Sequence, residues 1–271
     1  MNDMTTESPL PKKSLGQHWL HDELSLEAMC LAADVQSTDT VLEIGPGLGT
    51  LTQLLVAKAS QVVAVEFDHD LAQGLPARVP SDNLTVTESD ILRFDFTTLP
   101  PDYKIVANIP YYLTSNLVRV ISETPNRASS VALLVQKEVA KRIAAKPGNL
   151  SMLGVSAQFY WDVQLHDEVP AELFTPPPKV DSQIVALKRR DAPLWPDVDT
   201  AEFFRLVKAG FSQKRKTLQN SLSGGLRIDK SVAGQLLESA GLAVNLRAQN
   251  LSLDDWHKLY VVARQGSRLT R

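Results

Sequence analysis

The sequence predicts an α/β fold: a mostly parallel, Rossmann-like sheet with an antiparallel edge strand, followed by a small helical domain. Two observations carry this prediction. Apolar strand-like runs alternate with helical patterns up to about residue 145, which is typical of a parallel sheet with helices on both faces. From about residue 200 onward only helical patterns occur, separated by glycines. With 271 residues, of which 44% are hydrophobic, the chain is long enough to form both parts.

The individual elements follow from the apolar patterns. Strand-like runs lie near 41–44, 62–66, 84–87, 103–107 and 131–136. Helical patterns lie near 50–58, 69–78, 114–123 and 137–145. Two later strand-like runs, 161–168 and 182–188, are expected to pair antiparallel at a sheet edge, and helices are expected near 200–211, 214–222, 229–239 and 252–264. The predicted organisation is a flexible N-terminus (1–11), a sheet domain (12–192) and a helical domain (193–271).

Composition excludes several classes of protein. The single cysteine, Cys30, rules out an internal disulfide and a Cys-rich metal site. The five histidines show no metal-ligand spacing, so no metal is expected. Neither a signal-peptide pattern nor an apolar run of membrane-spanning length is present, which predicts a cytoplasmic protein that does not bind membranes.

A glycine-rich loop follows the first strand of the alternating region. Val41-Leu42-Glu43-Ile44 leads into Gly45-Pro46-Gly47-Leu48-Gly49, and glycines at such a turn let the backbone approach a ligand closely. The spacing differs from the dinucleotide G-x-G-x-x-G pattern, and no P-loop Lys-Ser/Thr pair follows. Glu43 precedes the loop, and no Lys or Arg lies between Glu43 and Lys58. This charge pattern disfavours pyrophosphate and favours a cationic ligand such as S-adenosylmethionine.

Polar acceptors end the next three strands as well. Glu66, 21 residues after Gly45, is placed to accept the ribose hydroxyls of a nucleoside. Asp90 follows the third strand and is a candidate acceptor for an adenine amine, although an Asp in a loop is usually a cap or turn former. Asn108 ends the fourth strand. Ligands bind at the carboxyl ends of strands in open α/β sheets, so this series predicts a nucleoside pocket.

The motif Asn108-Ile109-Pro110-Tyr111 suits chemistry on a planar amine. The Asn108 side-chain oxygen and the Ile109 carbonyl are two acceptors that can converge on one NH2 group, while proline removes a competing donor. Tyr111 can then stack on the base. The alternative is a strand end with a turn. Phe174, in a Pro-rich loop, is a candidate for the opposite face of the base, or else a hydrophobic anchor for that loop.

Charge is distributed unevenly along the chain, whose net charge is −3. Residues 201–271 contain 12 Lys and Arg against 5 Asp and Glu, which leaves 16 against 26 in residues 1–200. Such asymmetry points to nucleic-acid contact. The densest cluster, Lys214-Arg215-Lys216, is expected to start a helix and to neutralise phosphates, or alternatively to be a solvated helix start. Lys188-Arg189-Arg190 and Lys12-Lys13 are further candidates.

Four motifs occur in a characteristic order: Lys13-Ser14-Leu15-Gly16-Gln17-His18-Trp19-Leu20, Glu43-Ile44-Gly45-Pro46-Gly47-Leu48-Gly49, Asn108-Ile109-Pro110-Tyr111 and Phe174-Thr175-Pro176-Pro177-Pro178-Lys179-Val180-Asp181-Ser182. From about Lys12 to about Tyr260 the chain resembles the bacterial small-subunit rRNA adenine dimethyltransferases. The resemblance implies an enzyme with S-adenosyl-L-methionine as methyl donor, and we expect a monomer. Its substrate would be two adjacent adenosines near the 3′ end of 16S rRNA, each converted to N6,N6-dimethyladenosine.

The resemblance also implies a set of residues that contact the cofactor. By position these are His18, Leu20, Gly45, Glu66, Asp90 and Asn108, with Gly47 in the same glycine loop. Many members of the family have Asn where this chain has His18. Two alternatives remain at this point: a large-subunit methyltransferase of the macrolide-resistance type, and a non-catalytic ribosome assembly factor. The segment 211–218 resembles the small-subunit family more closely, and the intact acceptor series favours catalysis.

Overall fold

The computed structural model describes residues 11–12, 15–192 and 194–266. Most of the predicted flexible N-terminus lies outside these residues, as do Lys13 and Pro193. The chain divides into two compact units: Met1–Ala140 with Asp162–Arg189, and Lys141–Trp161 with Arg190–Arg271. Among the described residues, no helix combines the length and the apolar character needed to cross a membrane.

The first unit is built on a seven-stranded sheet. The strands of the described chain are β1 (Trp19–Leu20), β2 (Thr40–Ile44), β3 (Gln61–Glu66), β4 (Leu84–Glu88), β5 (Lys104–Asn108), β6 (Ser130–Gln136), β7 (Trp161–Val169), β8 (Phe174–Thr175) and β9 (Ser182–Arg189). The strand order is β4-β3-β2-β5-β6-β9-β7. Pairing from β4 through to β6 is parallel, while β9 lies antiparallel to β6 and β7 forms the edge. The predicted α/β class with a mostly parallel sheet is confirmed.

The central strands are fully buried. Val41, Leu42 and Val106 have no exposed surface, as expected for parallel strands covered on both faces. Parallel register aligns β2 with both of its neighbours, since Val41 pairs with Val62 on one side and with Lys104 on the other. The carboxyl ends of β2, β3 and β5 therefore meet at one edge of the sheet, where the polar strand-end residues gather.

A second, two-stranded sheet was not predicted. β1 pairs antiparallel with β8, so that Trp19 lies opposite Thr175 and Leu20 opposite Phe174. This pairing brings the N-terminal motif and the Pro-rich motif together. Since each strand is only two residues long, neither has a period that could be recognised in the sequence.

The helices are α1 (Glu23–Ala32), α2 (Thr50–Lys58), α3 (His69–Arg78), α4 (Thr114–Glu123), α5 (Lys137–Ile143), α6 (Met152–Tyr160), α7 (Thr200–Phe211), α8 (Leu218–Leu226), α9 (Lys230–Ser239) and α10 (Leu253–Gln265). The prediction of a helix from residue 214 was wrong, because α8 begins at Leu218. The residues before it form a turn in which the Lys216 N–H donates to the Gln213 carbonyl at 3.0 Å.

The second unit includes a segment that the predicted boundary at 192/193 placed in the sheet domain. Within Lys141–Trp161, Val155 and Phe159 are buried in the hydrophobic core of this unit. The Phe159 ring stacks on that of Phe203, with 5.0 Å between centroids. Burial of these apolar side chains among the helices explains why α6 belongs to this unit although it lies between strands in the sequence.

Candidate active site

A pocket of about 830 Å³, measured to its open mouth, lies at the carboxyl ends of β2, β3 and β5. It is lined by nine of the predicted site residues: His18, Leu20, Gly45, Gly47, Glu66, Asn108, Ile109, Pro110 and Tyr111. The structure thus brings together three motifs that are far apart in the sequence. Neither Asp90 nor Phe174 lines this pocket.

The glycine loop forms one wall of the pocket. Gly47 has φ = +59°, in the left-handed region that favours glycine. A Cβ at Gly47 would lie 3.2 Å from the Trp19 ring, so the loop backbone packs directly against that indole. Gly49, with φ = +93°, caps α2, and a Cβ there would lie 2.7 Å from Val79. Both positions require glycine, Gly47 at the pocket wall and Gly49 because α2 packs closely against Val79.

Glu66 holds the loop in place. Its Oε2 accepts a hydrogen bond from the Gly47 N–H at 3.1 Å, and its Oε1 accepts one from the Asp68 N–H at 2.9 Å. Burial raises the pKa of this carboxyl, and these backbone donors oppose the shift. A carboxylate oxygen can accept more than one hydrogen bond. Glu66 can therefore organise the loop and still accept hydroxyl groups from a ligand.

Glu43 is buried at the end of β2 and also lines the pocket. Its Oε2 has no hydrogen-bond partner among the described residues. Burial, with a smaller contribution from the charge of Glu66, raises the pKa of Glu43 to about 8. A hydrogen bond with Thr52 opposes the shift, but the buried Oε2 is left without a partner in the described part of the chain, which is costly unless it meets a polar or cationic group of a ligand. Sequence reasoning noted the acid but did not predict it as a contact residue.

Asn108 is oriented by the N-terminal motif. Its Nδ2 donates to the main-chain carbonyl of His18 at 3.2 Å. Because the amide nitrogen is used in this way, Oδ1 remains as the acceptor. The next residue, Ile109, is buried and anchors the turn. The use of Asn108 as an acceptor for an amine stays a prediction.

Tyr111 is held at both its hydroxyl and its ring. The hydroxyl lies 2.8 Å from Ser182 Oγ, and the ring stacks on His18 with 5.9 Å between centroids and 20° between planes. His18 is fixed in turn, since its Nδ1 lies 2.7 Å from the Pro176 carbonyl oxygen. A carbonyl only accepts, so Nδ1 carries the proton. The Pro-rich segment therefore positions both rings, although neither Ser182 nor Pro176 was predicted as a site residue.

Two predicted site residues, Phe174 and Asp90, do not line the pocket. Phe174 is 3% exposed and packs in the core of the first unit, so its ring has no free face for a base. Its role as a hydrophobic anchor is the one that these contacts favour. Asp90 caps the 3₁₀ turn Ile91–Arg93 by accepting a hydrogen bond from the Leu92 N–H at 3.0 Å.

Aromatic residues missed by sequence reasoning also line the pocket. Phe67, directly after Glu66, is 63% exposed, and Tyr112, directly after Tyr111, is 66% exposed. An aromatic residue that follows a polar strand end is the signal that could have found them. Large exposed aromatic side chains beside a nucleoside pocket are candidate stacking surfaces.

The segment before the pocket is tied by charge to the start of α3, where Asp68 is the N-cap and Asp70 lies in the first turn. Lys12 Nζ lies 2.8 Å from Asp68 Oδ1 and 2.9 Å from Asp70 Oδ2, and Gln17 Nε2 donates to Asp68 at 3.3 Å. Burial alone would raise the pKa of Asp68, but the hydrogen bonds from Lys12 and Gln17 leave it below the usual value. Lys12 is thus engaged in an ion pair rather than presented for RNA.

The predicted basic clusters differ in whether their side chains are already paired within the protein. Lys214, Arg215 and Lys216 are exposed on the turn before α8, and their side chains form no ion pair or hydrogen bond with the described residues. In the other cluster, Arg189 pairs with Asp102 and Arg190 donates to the main-chain carbonyls of Gln158 and Trp161. Lys188 is exposed. The first cluster is therefore the stronger candidate for phosphate contact.

The sheet, the glycine loop, the strand-end acids and the Asn-Ile-Pro-Tyr turn define a Rossmann-like, class I methyltransferase. In the part of the chain that the structure describes, no group of three or more His, Cys, Asp or Glu is arranged to hold a metal ion. Residues 10–265 match the family described as ribosomal RNA adenine dimethylase. The chain belongs to this family, and the predicted resemblance and enzyme class are confirmed.

Individual relatives agree with this assignment. The chain is 42% identical, over 92% of its length and 87% of the relative's, to ribosomal RNA small subunit methyltransferase A of Dehalococcoides mccartyi. A dimethyladenosine transferase from Plasmodium falciparum has a similar structure, with a TM-score of 0.79 and 27% identity, covering 92% of this chain and 98% of that one. The 23S rRNA methyltransferase ErmE gives a TM-score of 0.72 and 27% identity, covering 93% and 100%.

Proposed function

We propose that this chain transfers methyl groups from S-adenosyl-L-methionine to the N6 amines of two adjacent adenosines near the 3′ end of small-subunit (16S) rRNA, giving N6,N6-dimethyladenosine. The observation that carries the proposal is the position of Asn108 and Tyr111 in one pocket with Glu66 and the glycine loop. The 42% identical relative is named for the small subunit, which favours this substrate over the large-subunit RNA named for ErmE.

The pocket fits S-adenosylmethionine at its polar wall. Glu66 would accept the ribose hydroxyls while it keeps its bonds to the loop backbone. Glu43, buried and without a partner for Oε2, would meet the ammonium group of the cofactor. Phe67, exposed directly after Glu66, would cover the adenine. The bound cofactor supplies the electrophilic methyl group.

At the β5 end of the pocket, Asn108 and Ile109 would hold the target amine. The lone pair of an adenine amine is delocalised into the ring and is a weak nucleophile. If Asn108 Oδ1 and the Ile109 carbonyl accept its two N–H hydrogens, the nitrogen becomes pyramidal and its lone pair localises. The acceptors also stabilise the positive charge that develops on the nitrogen during transfer. No strong base is needed, because the amine becomes acidic only as the new C–N bond forms; its proton would pass to water, and the sulfonium would leave as the neutral thioether when its bond to the methyl group breaks.

Tyr111 would stack on the extruded adenine. Its ring is fixed on one side by His18 and through its hydroxyl by Ser182. The Tyr111 side chain would therefore lose little conformational freedom when the base binds. Such preorganisation matters because the base must leave its own stack to reach the pocket.

RNA docking is proposed for the second unit. Lys214, Arg215 and Lys216 form an exposed basic turn that would neutralise rRNA phosphates, with Lys188 of the first unit as a further contact. Binding would then depend strongly on salt. We propose that the protein acts as a monomer, and its ribosomal substrate implies a cytoplasmic site of action.

A methyl-transfer assay tests the proposed function. Labelled S-adenosylmethionine is offered with small subunits that lack the two dimethyladenosines, and in parallel with large-subunit rRNA. We expect incorporation into the small subunits alone, at the two adjacent adenosines. Labelling of the large-subunit RNA would favour the macrolide-resistance type of activity. Tight binding to small subunits with no transfer under any assembly condition would favour a non-catalytic assembly factor.

A further inference from the structure

Two consecutive tyrosines at the end of β5 have opposite surroundings. The Tyr111 hydroxyl is hydrogen-bonded to Ser182, its ring stacks on His18, and burial raises the pKa of Tyr111. Tyr112 is 66% exposed, and no hydrogen bond to its hydroxyl is recorded within the described residues. They lie in the 3₁₀ turn Tyr111–Leu113, where successive side chains project about 120° apart because there are three residues per turn. Both rings line the pocket, and that of Tyr112 is the more exposed.

Tyr112 is exposed and lies beside the N-terminal motif. Gly16 lies beside it with φ = +61°, and a Cβ there would lie 3.7 Å from ring carbons Cδ1 and Cε1. Gly16 belongs to the N-terminal motif, which Lys12 and Gln17 tie to Asp68. One edge of the ring thus faces Gly16, while most of the ring surface stays open to solvent. An exposed aromatic ring is what single-stranded nucleic-acid proteins use as a stacking platform.

The two exposed aromatic residues of the pocket lie on different sides of it. Phe67 follows β3 and Tyr112 follows β5, and in the sheet these strands flank β2, which carries the glycine loop. Phe67 is next to Glu66, at the end proposed for the cofactor nucleoside. Tyr112 is next to the Asn108–Tyr111 motif, at the end proposed for the target amine. The position of Tyr112 therefore favours a contact with the RNA over a contact with the cofactor.

We propose that Tyr112 is a second stacking site that holds the nucleotide next to the adenosine being methylated. This inference rests on the proposed function. When one base enters the pocket and lies on Tyr111, the neighbouring nucleotide is left unstacked at the mouth, where Tyr112 offers a ring face and a free hydroxyl for the RNA backbone. Because stacking is tolerant of sequence, the same platform serves whichever adenosine of the pair is outside the pocket.

The test compares Tyr112 variants in steady-state methylation of small subunits that lack the modification. Tyr112→Ala is expected to raise the KM for small subunits about tenfold, as for the loss of one base–aromatic stack, with a smaller effect on kcat. Its melting temperature and its affinity for S-adenosylmethionine should match wild type. Tyr112→Phe, which keeps the ring, is expected to restore most of the RNA affinity. Tyr112→Leu, which keeps apolar bulk without a π face, is not.

Phe67→Ala is the matched control, since it removes a ring of similar exposure from the other end of the pocket. It should weaken S-adenosylmethionine binding and leave the KM for small subunits near wild type. Wild-type activity with an unchanged KM in Tyr112→Ala overturns the stacking proposal alone, as does a Tyr112→Leu variant equal to Tyr112→Phe. A wild-type protein inactive on small subunits overturns the proposed function and, with it, this inference.

Discussion

The hydroxyl of Tyr111 lies 2.8 Å from Ser182 Oγ, a hydrogen bond between residues 71 positions apart. Ser182 is the first residue of β9 and is completely buried. This bond ties the turn after β5 to the end of the Pro-rich motif. The same motif reaches His18, the stacking partner of Tyr111, through the Pro176 carbonyl at 2.7 Å. The Pro-rich motif thus supports the reacting end of the pocket from behind.

Removal of this hydrogen bond should lower turnover without loss of cofactor binding. We expect Ser182→Ala and Tyr111→Phe each to reduce kcat several-fold, because the ring loses its fixed orientation. The double variant should be little worse than either single one, with a coupling free energy of about 0.5–1.5 kcal/mol. Steady-state kinetics of all four proteins measure this, with Ser182→Thr as the conservative control. Fully additive effects would show that the two residues act independently.

Asn108→Ala should abolish most of the methyl transfer. Loss of one preorganised contact to the reacting group is expected to reduce kcat on the order of 100-fold. The hydrogen bond to the His18 carbonyl is lost as well, so a small decrease in melting temperature is expected. Single-turnover kinetics on unmethylated small subunits give the rate, and thermal unfolding gives the stability. Near-normal turnover, or a large loss of stability that accounts for the loss of activity, would contradict the catalytic role.

Glu43 should make stability depend on pH in a defined direction. Burial raises its folded-state pKa from 4.5 to about 8, so the folded protein retains a proton that the unfolded chain releases. Between these two values the free energy of unfolding should fall as the pH rises, and above about 8 it should level off. Glu43→Gln removes this dependence and should stabilise the protein at pH 7.5, by on the order of 1–3 kcal/mol, and hardly at all at pH 4.5.

Denaturant unfolding of wild type and Glu43→Gln across this pH range measures the effect. Asp68→Asn is the contrasting variant, since the pKa of Asp68 lies below its usual value. The contribution of Asp68 to the free energy of unfolding is therefore lost only as the pH falls. A difference between wild type and Glu43→Gln that is constant from pH 4.5 to 8.5 would show that Glu43 keeps an ordinary pKa.

The basic turn before α8 should account for much of the salt dependence of RNA binding. Replacing Lys214, Arg215 and Lys216 by alanine should weaken binding to small subunits. The slope of log affinity against log salt should fall by up to about 2–3 units if each residue neutralises one phosphate. Affinity for S-adenosylmethionine should not change.

Lys58→Ala is the control for this experiment, since Lys58 is paired with Glu27 at 2.9 Å and should leave the slope unchanged. Filter binding at several salt concentrations compares the three proteins. A triple variant with the wild-type slope would direct the search to Lys188 and other exposed cations.

The strands around the pocket were predictable because their signal is local. Buried parallel strands appear as short apolar runs, and β2, β3 and β5 were predicted to within a residue or two. Their polar ends, Glu66 and Asn108, were predicted as site residues for the same reason, since parallel strands place their carboxyl ends at one edge.

Other features were decided by contacts between distant residues. Ser182, Pro176 and the β1–β8 pairing gain their roles from neighbours far away in the sequence, such as the 158 positions between His18 and Pro176. A short segment carries no period from which such a partner can be inferred. Phe174 shows this most clearly, because an aromatic residue in a Pro-rich loop suits either a base or a core.

The sequence by itself determined the class of fold, the family and the strand-end acceptors, since these depend on local patterns of apolar and polar residues. Only the tertiary structure decided that segment 141–161 belongs with the helical unit, that Phe174 is buried, and that Tyr111 is locked while Tyr112 is open. The physical reason is the same in each case. Burial and hydrogen-bond partners are properties of close packing between segments, and the local sequence of either segment does not specify them.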